Sequence, residues 1–156
     1  MVVFGLSRSQ IAPREDPHNW NSWDHYRTIQ DIRLNEHPFV IDDTLVFSQG
    51  SEGVISLMGL VRCRKSVVLE VEKWFESQYF GSTLRVRCRT YRYIAWKPGG
   101  NLLLKYHNLH RDSNEYHHRI YDPETGHETF HEVLERYQFP TFPEVLDELE
   151  TIAQDL

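Results

Sequence analysis

One run constrains this chain more than any other: from Leu84 to Trp96 it carries neither Gly nor Pro, and its side chains alternate in character. The even positions are Leu84, Val86, Cys88, Thr90, Arg92, Ile94 and Trp96; the odd ones are Arg85, Arg87, Arg89, Tyr91, Tyr93 and Ala95. Successive side chains of a strand point to opposite faces, so this period of two predicts a strand with one mostly apolar face and one basic, aromatic face. Lys97-Pro98-Gly99-Gly100-Asn101 supplies turn chemistry, and Leu102 to Tyr106 resumes β-type composition. The two strands are expected to pair as an antiparallel hairpin.

Other segments extend this core. Thr44 to Ser48 and Val54 to Val61 are β-rich runs joined by Gln49-Gly50-Ser51-Glu52-Gly53, which predicts a first hairpin, and Ser66 to Trp74 alternates Val67, Leu69 and Val71 with Val68, Glu70 and Glu72. The first twenty or so residues show no sustained period; from Trp23, the residues Tyr26, Ile29 and Ile32 follow at steps of three behind Ser22, which predicts a short helix ending near Leu34. Thr129-Phe130-His131-Glu132 matches a capping box ahead of Val133, Leu134 and Tyr137, and Thr141-Phe142-Pro143-Glu144 repeats it ahead of Val145, Leu146, Leu149, Ile152 and Leu156. The expected fold class is α+β: a mostly antiparallel β-sheet of about four to five strands with C-terminal helices packed on it. Residues 1–42 read as an N-terminal extension with a short helix, and 43–156 as a single α+β domain.

A length of 156 residues and a hydrophobic content of 40% suffice for one core. No apolar run approaches the ~18–20 residues of a membrane helix, and the start resembles no signal peptide. The two cysteines, Cys63 and Cys88, sit in expected strands and form no C-x-x-C pair, as reduced thiols of a cytoplasmic protein would. The net charge of −6 hides an asymmetry. Gly59 to Lys105 holds ten basic residues against Glu70, Glu72 and Glu76, whereas Phe139 to Leu156 holds five acidic residues and no basic one.

Five of the nine histidines fall between His107 and His127: His107, His110, His117, His118 and His127. An imidazole with a pKa near 6.5 can accept a proton while another donates one, the division of labour that metal-free RNA cleavage uses. His107, with His117 or His118, would serve as acid and base, and Arg119 would stabilise charge on phosphorus. The alternatives are histidines with only a structural role, or a metal site drawing on the same rings with Asp112, Glu115 and Asp122. An extended segment would point His117 and His118 to opposite sides. Arg85, Arg87 and Arg89 running into Tyr91 and Tyr93 offer phosphate contacts beside stacking surfaces, as a nucleic-acid platform requires; the competing reading is a solvated face paired with Glu70 and Glu72. Phosphate-loop, nucleophile-elbow and H-E-x-x-H signatures are absent.

Tyr91-Arg92-Tyr93, the run Asn101-Leu102-Leu103-Leu104-Lys105-Tyr106-His107-Asn108, the pair His117-His118 and the entry Phe139-Pro140-Thr141-Phe142 together resemble the TumE-like family, the toxins of bacterial and archaeal toxin–antitoxin pairs. The likeness covers about Gly53 to Leu156. His107 stands where that family commonly has Asp, and the first fifty residues extend beyond its short members. The resemblance implies a growth-inhibiting toxin held in check by a DNA-binding antitoxin protein. Combined with the residues, the leading expectation is a cytoplasmic, ribonuclease-like toxin acting on RNA without a cofactor or membrane. The alternative is a non-catalytic module that binds nucleic acid or protein.

Overall fold

The protein is described as a computed structural model covering residues 20–24, 26, 27, 34, 36–108, 115–135 and 138–156. The described residues form nine strands in one antiparallel sheet: β1 (Asn21–Ser22), β2 (Val40–Asp43), β3 (Val46–Gln49), β4 (Val54–Cys63), β5 (Val68–Phe80), β6 (Thr83–Trp96), β7 (Leu102–Asn108), β8 (Tyr116–Tyr121) and β9 (Glu128–Leu134). The spatial order is β2-β4-β5-β6-β7-β8-β9, with β3 beside β4 and β1 beside β6. A C-terminal helix, Phe142–Ala153, buries Phe142, Val145, Leu146 and Leu149, and Tyr93 and Tyr106 of the sheet lie against the aromatic residues at its entry.

Both expected hairpins form, β3 with β4 and β6 with β7. The fold class needs correction, because the sheet has nine strands where four to five were expected, and the described residues form one C-terminal helix where several were expected. Thr129 begins no helix: Glu128 to Leu134 is β9, paired with β8 from Tyr116↔Leu134 to Tyr121↔Glu128. A capping box is a local pattern worth about 1 kcal/mol. Here it competes with a six-pair ladder launched from a turn in which the Asp122 carboxylate accepts the Glu124 and Thr125 amides. The second capping box does cap its helix, since Thr141 accepts the Glu144 amide and Glu144 accepts the Thr141 amide at 2.8 Å. Lys65 Nζ donates to the Ala153 carbonyl at 2.7 Å and closes the other end of that helix.

The early residues belong to the same core. Of the expected Trp23 to Leu34 helix, Trp23, Asp24, Tyr26, Arg27 and Leu34 are helical, and the rest lies outside the described residues. Trp23, Tyr26, Leu34 and Phe39 pack in the main cluster, and β2 pairs with β4. Gly59 permits the β2–β3 connection to cross β4 closely, as a Cβ there would lie 2.6 Å from the Thr44 carbonyl oxygen. Cys63 and Cys88 are buried thiols, and burial pushes Cys63 up to about 12. Among the described residues no helix is long and apolar enough to cross a membrane.

The longest strand departs from simple alternation at one place. Trp74 pairs with Thr90 but Phe75 pairs with Cys88, so Arg89 is an extra residue in β6. Such a bulge reverses which parity faces the core. Before it Val86 and Cys88 are buried; after it Tyr91, Tyr93 and Ala95 are. The backbone groups the bulge displaces are taken up by one side chain: Asn108 Oδ1 accepts the Tyr91 amide at 2.8 Å and Nδ2 donates to the Arg89 carbonyl at 3.0 Å. Beneath it, the fully buried Lys73 donates to the Tyr26 hydroxyl at 2.9 Å and lies over the rings of Tyr26, Tyr91, Tyr93 and Phe142. Replacing Asn108 by Ala strips a buried amide and carbonyl of their partners and is expected to lower unfolding stability by about 2–4 kcal/mol, read from urea denaturation, with the same slope as wild type.

Candidate functional site

The register of the C-terminal half of the sheet sets the site. Across one face run two adjacent rows: Glu72, Arg92, His107, His117 and Val133 pair in succession from β5 to β9, and beside them Glu70, Ile94, Lys105, Arg119 and His131 do the same. His107, His117 and Arg119 therefore share a face, as catalysis at one centre requires. His118 does not. It alternates with His117 along β8 and faces the helix side, as the extended reading of that pair predicts. The pair lies within strand β8. His110 and Asp112 lie outside the described residues.

Sequence reasoning missed His131 because the capping-box reading put it in a helix; its alternation with Phe130 and Glu132 was the available signal. His117 Nδ1 and His131 Nε2 are 2.8 Å apart, with ring centroids 5.1 Å apart and planes 19° apart. That centroid distance is about the nitrogen separation plus two ring radii, so the rings meet edge to edge and share one proton between facing nitrogens. His107 lies 5.3 Å from His117, centroid to centroid, on its other side. Among the described residues, the Nε2 atoms of His107 and His117 are buried and find no hydrogen-bond partner, and a Glu115 carboxylate oxygen stands 3.5 Å from the latter. Burial, joined by the charges of Lys105, His117, Arg119 and His131, lowers His107 to about 4. His107 is thus neutral at pH 7, with a lone pair available. His131 is exposed, and Arg119, bound to Glu128 at 2.6 Å, is partly exposed beside it.

The surroundings of His118 bias it the opposite way. Its ring stacks on Tyr106 at 4.2 Å, Nδ1 lies 2.9 Å from Glu132 and Nε2 3.0 Å from Glu148, whose second oxygen accepts the Tyr106 hydroxyl at 2.6 Å. Two carboxylates facing both ring nitrogens call for a proton on each. Burial works against that charge, but Glu148 and Glu132 outweigh it and raise His118 above its ordinary value. The group ties the edge strand β9 to the helix.

The five residues expected to form a nucleic-acid platform are divided by the bulge. Tyr91 and Tyr93 are buried in the core, while Arg85, Arg87 and Arg89 lie on the accessible side. Arg87 and Arg89 share Glu76, and Arg85 and Arg87 lie over the rings of Phe80 and Trp20. Arg92, after the bulge, joins their face and pairs with Glu72 at 2.7 Å. Exposed Trp74, with Val46, Met58 and Leu60, supplies the apolar surface that the tyrosines do not.

Among the described residues one group of potential metal ligands, His37, Asp147 and Glu150, converges within 4.8 Å. His37 Nδ1 accepts the Phe39 amide at 3.2 Å, so the neutral ring carries its proton on Nε2, which donates to Asp147 at 2.8 Å. Neither nitrogen has a lone pair left for an ion. The His37–Asp147 bond fastens the helix to the segment before β2. Of the other expected ligands, Asp122 holds its turn.

No family model, curated protein or solved structure matches the chain. The TumE-like resemblance therefore gains no support from these comparisons.

The two histidine environments have opposite effects on stability. His118 binds its proton more tightly folded than unfolded, so its contribution is complete below about 6.5 and fades as pH rises through the raised folded value. His107, neutral when folded, costs stability as pH falls from about 6.5 toward 4, because the unfolded ring takes up a proton there. In melting curves from pH 6 to 9, wild type is expected to lose more stability than His118→Gln; parallel losses would show that His118 carries no extra proton.

Proposed function

We propose that the protein acts on RNA as a metal-independent, ribonuclease-like growth inhibitor, the toxin of a toxin–antitoxin pair, with the histidine rows of β7, β8 and β9 as its active surface. One observation carries the reading: His131 is exposed and hydrogen-bonded to buried His117, with Arg119 and Lys105 in the same row. A phosphate of the backbone docks against Lys105 and Arg119. His131 takes the proton of the ribose 2′-hydroxyl and passes charge to His117 through their shared hydrogen bond. The 2′-oxygen attacks the adjacent phosphorus, and the 5′-oxygen leaves with a proton returned from the pair, giving a 2′,3′-cyclic phosphate and a 5′-hydroxyl. Arg119 and Lys105 balance the charge that builds on the phosphoryl oxygens. Neutral His107 packs beside His117 without adding a second positive charge. DNA, lacking the 2′-hydroxyl nucleophile, stays intact. The antitoxin partner and the cytoplasmic setting rest on the TumE-like resemblance and on cysteine usage.

His117→Ala and His131→Ala are each expected to cut RNA cleavage about 100- to 10,000-fold with RNA affinity retained, and a chelator to leave wild-type cleavage unchanged. Unchanged cleavage in both variants, or abolition by chelator, would remove the assignment. Tightly induced expression tests the biological half: wild type arrests bacterial growth and the variants do not.

A second reading, a non-catalytic binding module, is favoured by exposed Val46, Met58, Leu60 and Trp74 on the same face and by the carboxylates that already pair Arg87, Arg89 and Arg92. Binding of RNA through the cationic row should weaken steeply between about 50 and 200 mM salt, whereas a protein partner seated on the apolar strip should show a nearly flat dependence.

A further inference from the structure

The bulge in β6 creates more than a change of face. Val54, Trp74, Phe75, Arg89 and Thr90 line an open cleft of about 280 Å³, just below the ~300 Å³ at which small-molecule pockets begin. That size suits one planar heterocycle and not a larger cofactor. The extra residue, Arg89, and the half-exposed Trp74 both line it. Trp74 is 38% exposed, unusual for so large an apolar ring in the middle of a long strand, yet it is not loose. Its Nε1 donates to Glu72 at 2.8 Å, and the other oxygen of Glu72 accepts from Arg92, the residue paired with His107. The ring is therefore oriented by the carboxylate that also orients the first cation of the histidine row.

We propose that this cleft is a nucleobase subsite, in which an unpaired RNA base stacks on Trp74 and Arg89 contacts the base edge or its phosphate. The inference rests on the RNA reading above and adds to it where the strand lies. Trp74 stands two strands and one register step from His107, roughly 12 Å at a strand spacing of ~4.8 Å and a rise of ~3.3 Å per residue. That exceeds the reach of one nucleotide and falls within the ~4–16-nucleotide sites of single-strand grooves. Arg92, between the two, lies where the connecting phosphates would pass. Duplex RNA has no base free to enter, so the substrate is single-stranded.

The test uses the full chain and a fluorescent single-stranded hexauridylate, titrated at low salt with wild type, Trp74→Ala and Trp74→Phe, folding being checked by circular dichroism. Removing a stacking ring is expected to weaken binding between about 5- and 150-fold, with Trp74→Phe recovering part of the loss. A duplex of the same length should bind wild type and Trp74→Ala alike. Equal hexauridylate affinity for wild type and Trp74→Ala would overturn the subsite and leave the RNA reading in place. Failure of wild type to bind hexauridylate would overturn both.

Discussion

One extra residue in β6 decides what each face of this sheet is made of. Side chains in a strand alternate with a period of two, so the insertion of Arg89 exchanges the faces for everything after it. Tyr91 and Tyr93 turn inward, where their rings and those of Tyr26 and Phe142 surround Lys73 and meet the helix entry. Arg92 turns outward to join Arg85 and Arg87. The distortion is sustainable because Asn108, at the end of the neighbouring strand, returns a donor and an acceptor to the backbone groups that the bulge displaces. Without that amide, two buried polar groups would lose their partners, a loss of the size that reorganises cores.

The same alternation separates two kinds of histidine chemistry. His117 and His118 are adjacent in the chain and serve opposite faces. On the helix side His118 stands between Glu132 and Glu148, whose carboxylates outweigh burial and raise its affinity for a proton. On the open side His107 is stripped of water, surrounded by cations, and neutral. A buried ring between carboxylates of β9 and the helix is a fastening. On the open face a neutral ring packs beside a hydrogen-bonded pair with one exposed member. The acidic helix commits two of its carboxylates, Asp147 and Glu148, to His37 and His118.

Much of this was legible in advance, for stated reasons. The β6–β7 hairpin and the final helix could be read because strong local signals agreed with the tertiary outcome: strict alternation, a Pro-Gly-Gly turn, and a capping box ahead of a helical apolar stripe. β9 could not, because its weak capping signal disagreed with the ladder that β8 offered. His131 went unnoticed for the same reason, and the Arg–Tyr platform was overdrawn because periodicity assumes an unbroken register. The count of strands failed because β8 and β9 acquire their structure from each other and from β7.

By itself the sequence determined the two hairpins β3–β4 and β6–β7 and the final helix, that the centre is basic and the last helix acidic, and that acid–base side chains concentrate after the Gly99-Gly100 turn. Those properties depend on residues a few positions apart. Only the tertiary structure decided which histidines share a face, that His107 is biased against a proton and His118 toward one, and that Trp74 instead of Tyr91 and Tyr93 lies beside the exposed arginines. Those properties depend on register, and one inserted residue shifts register for every strand that pairs beyond it.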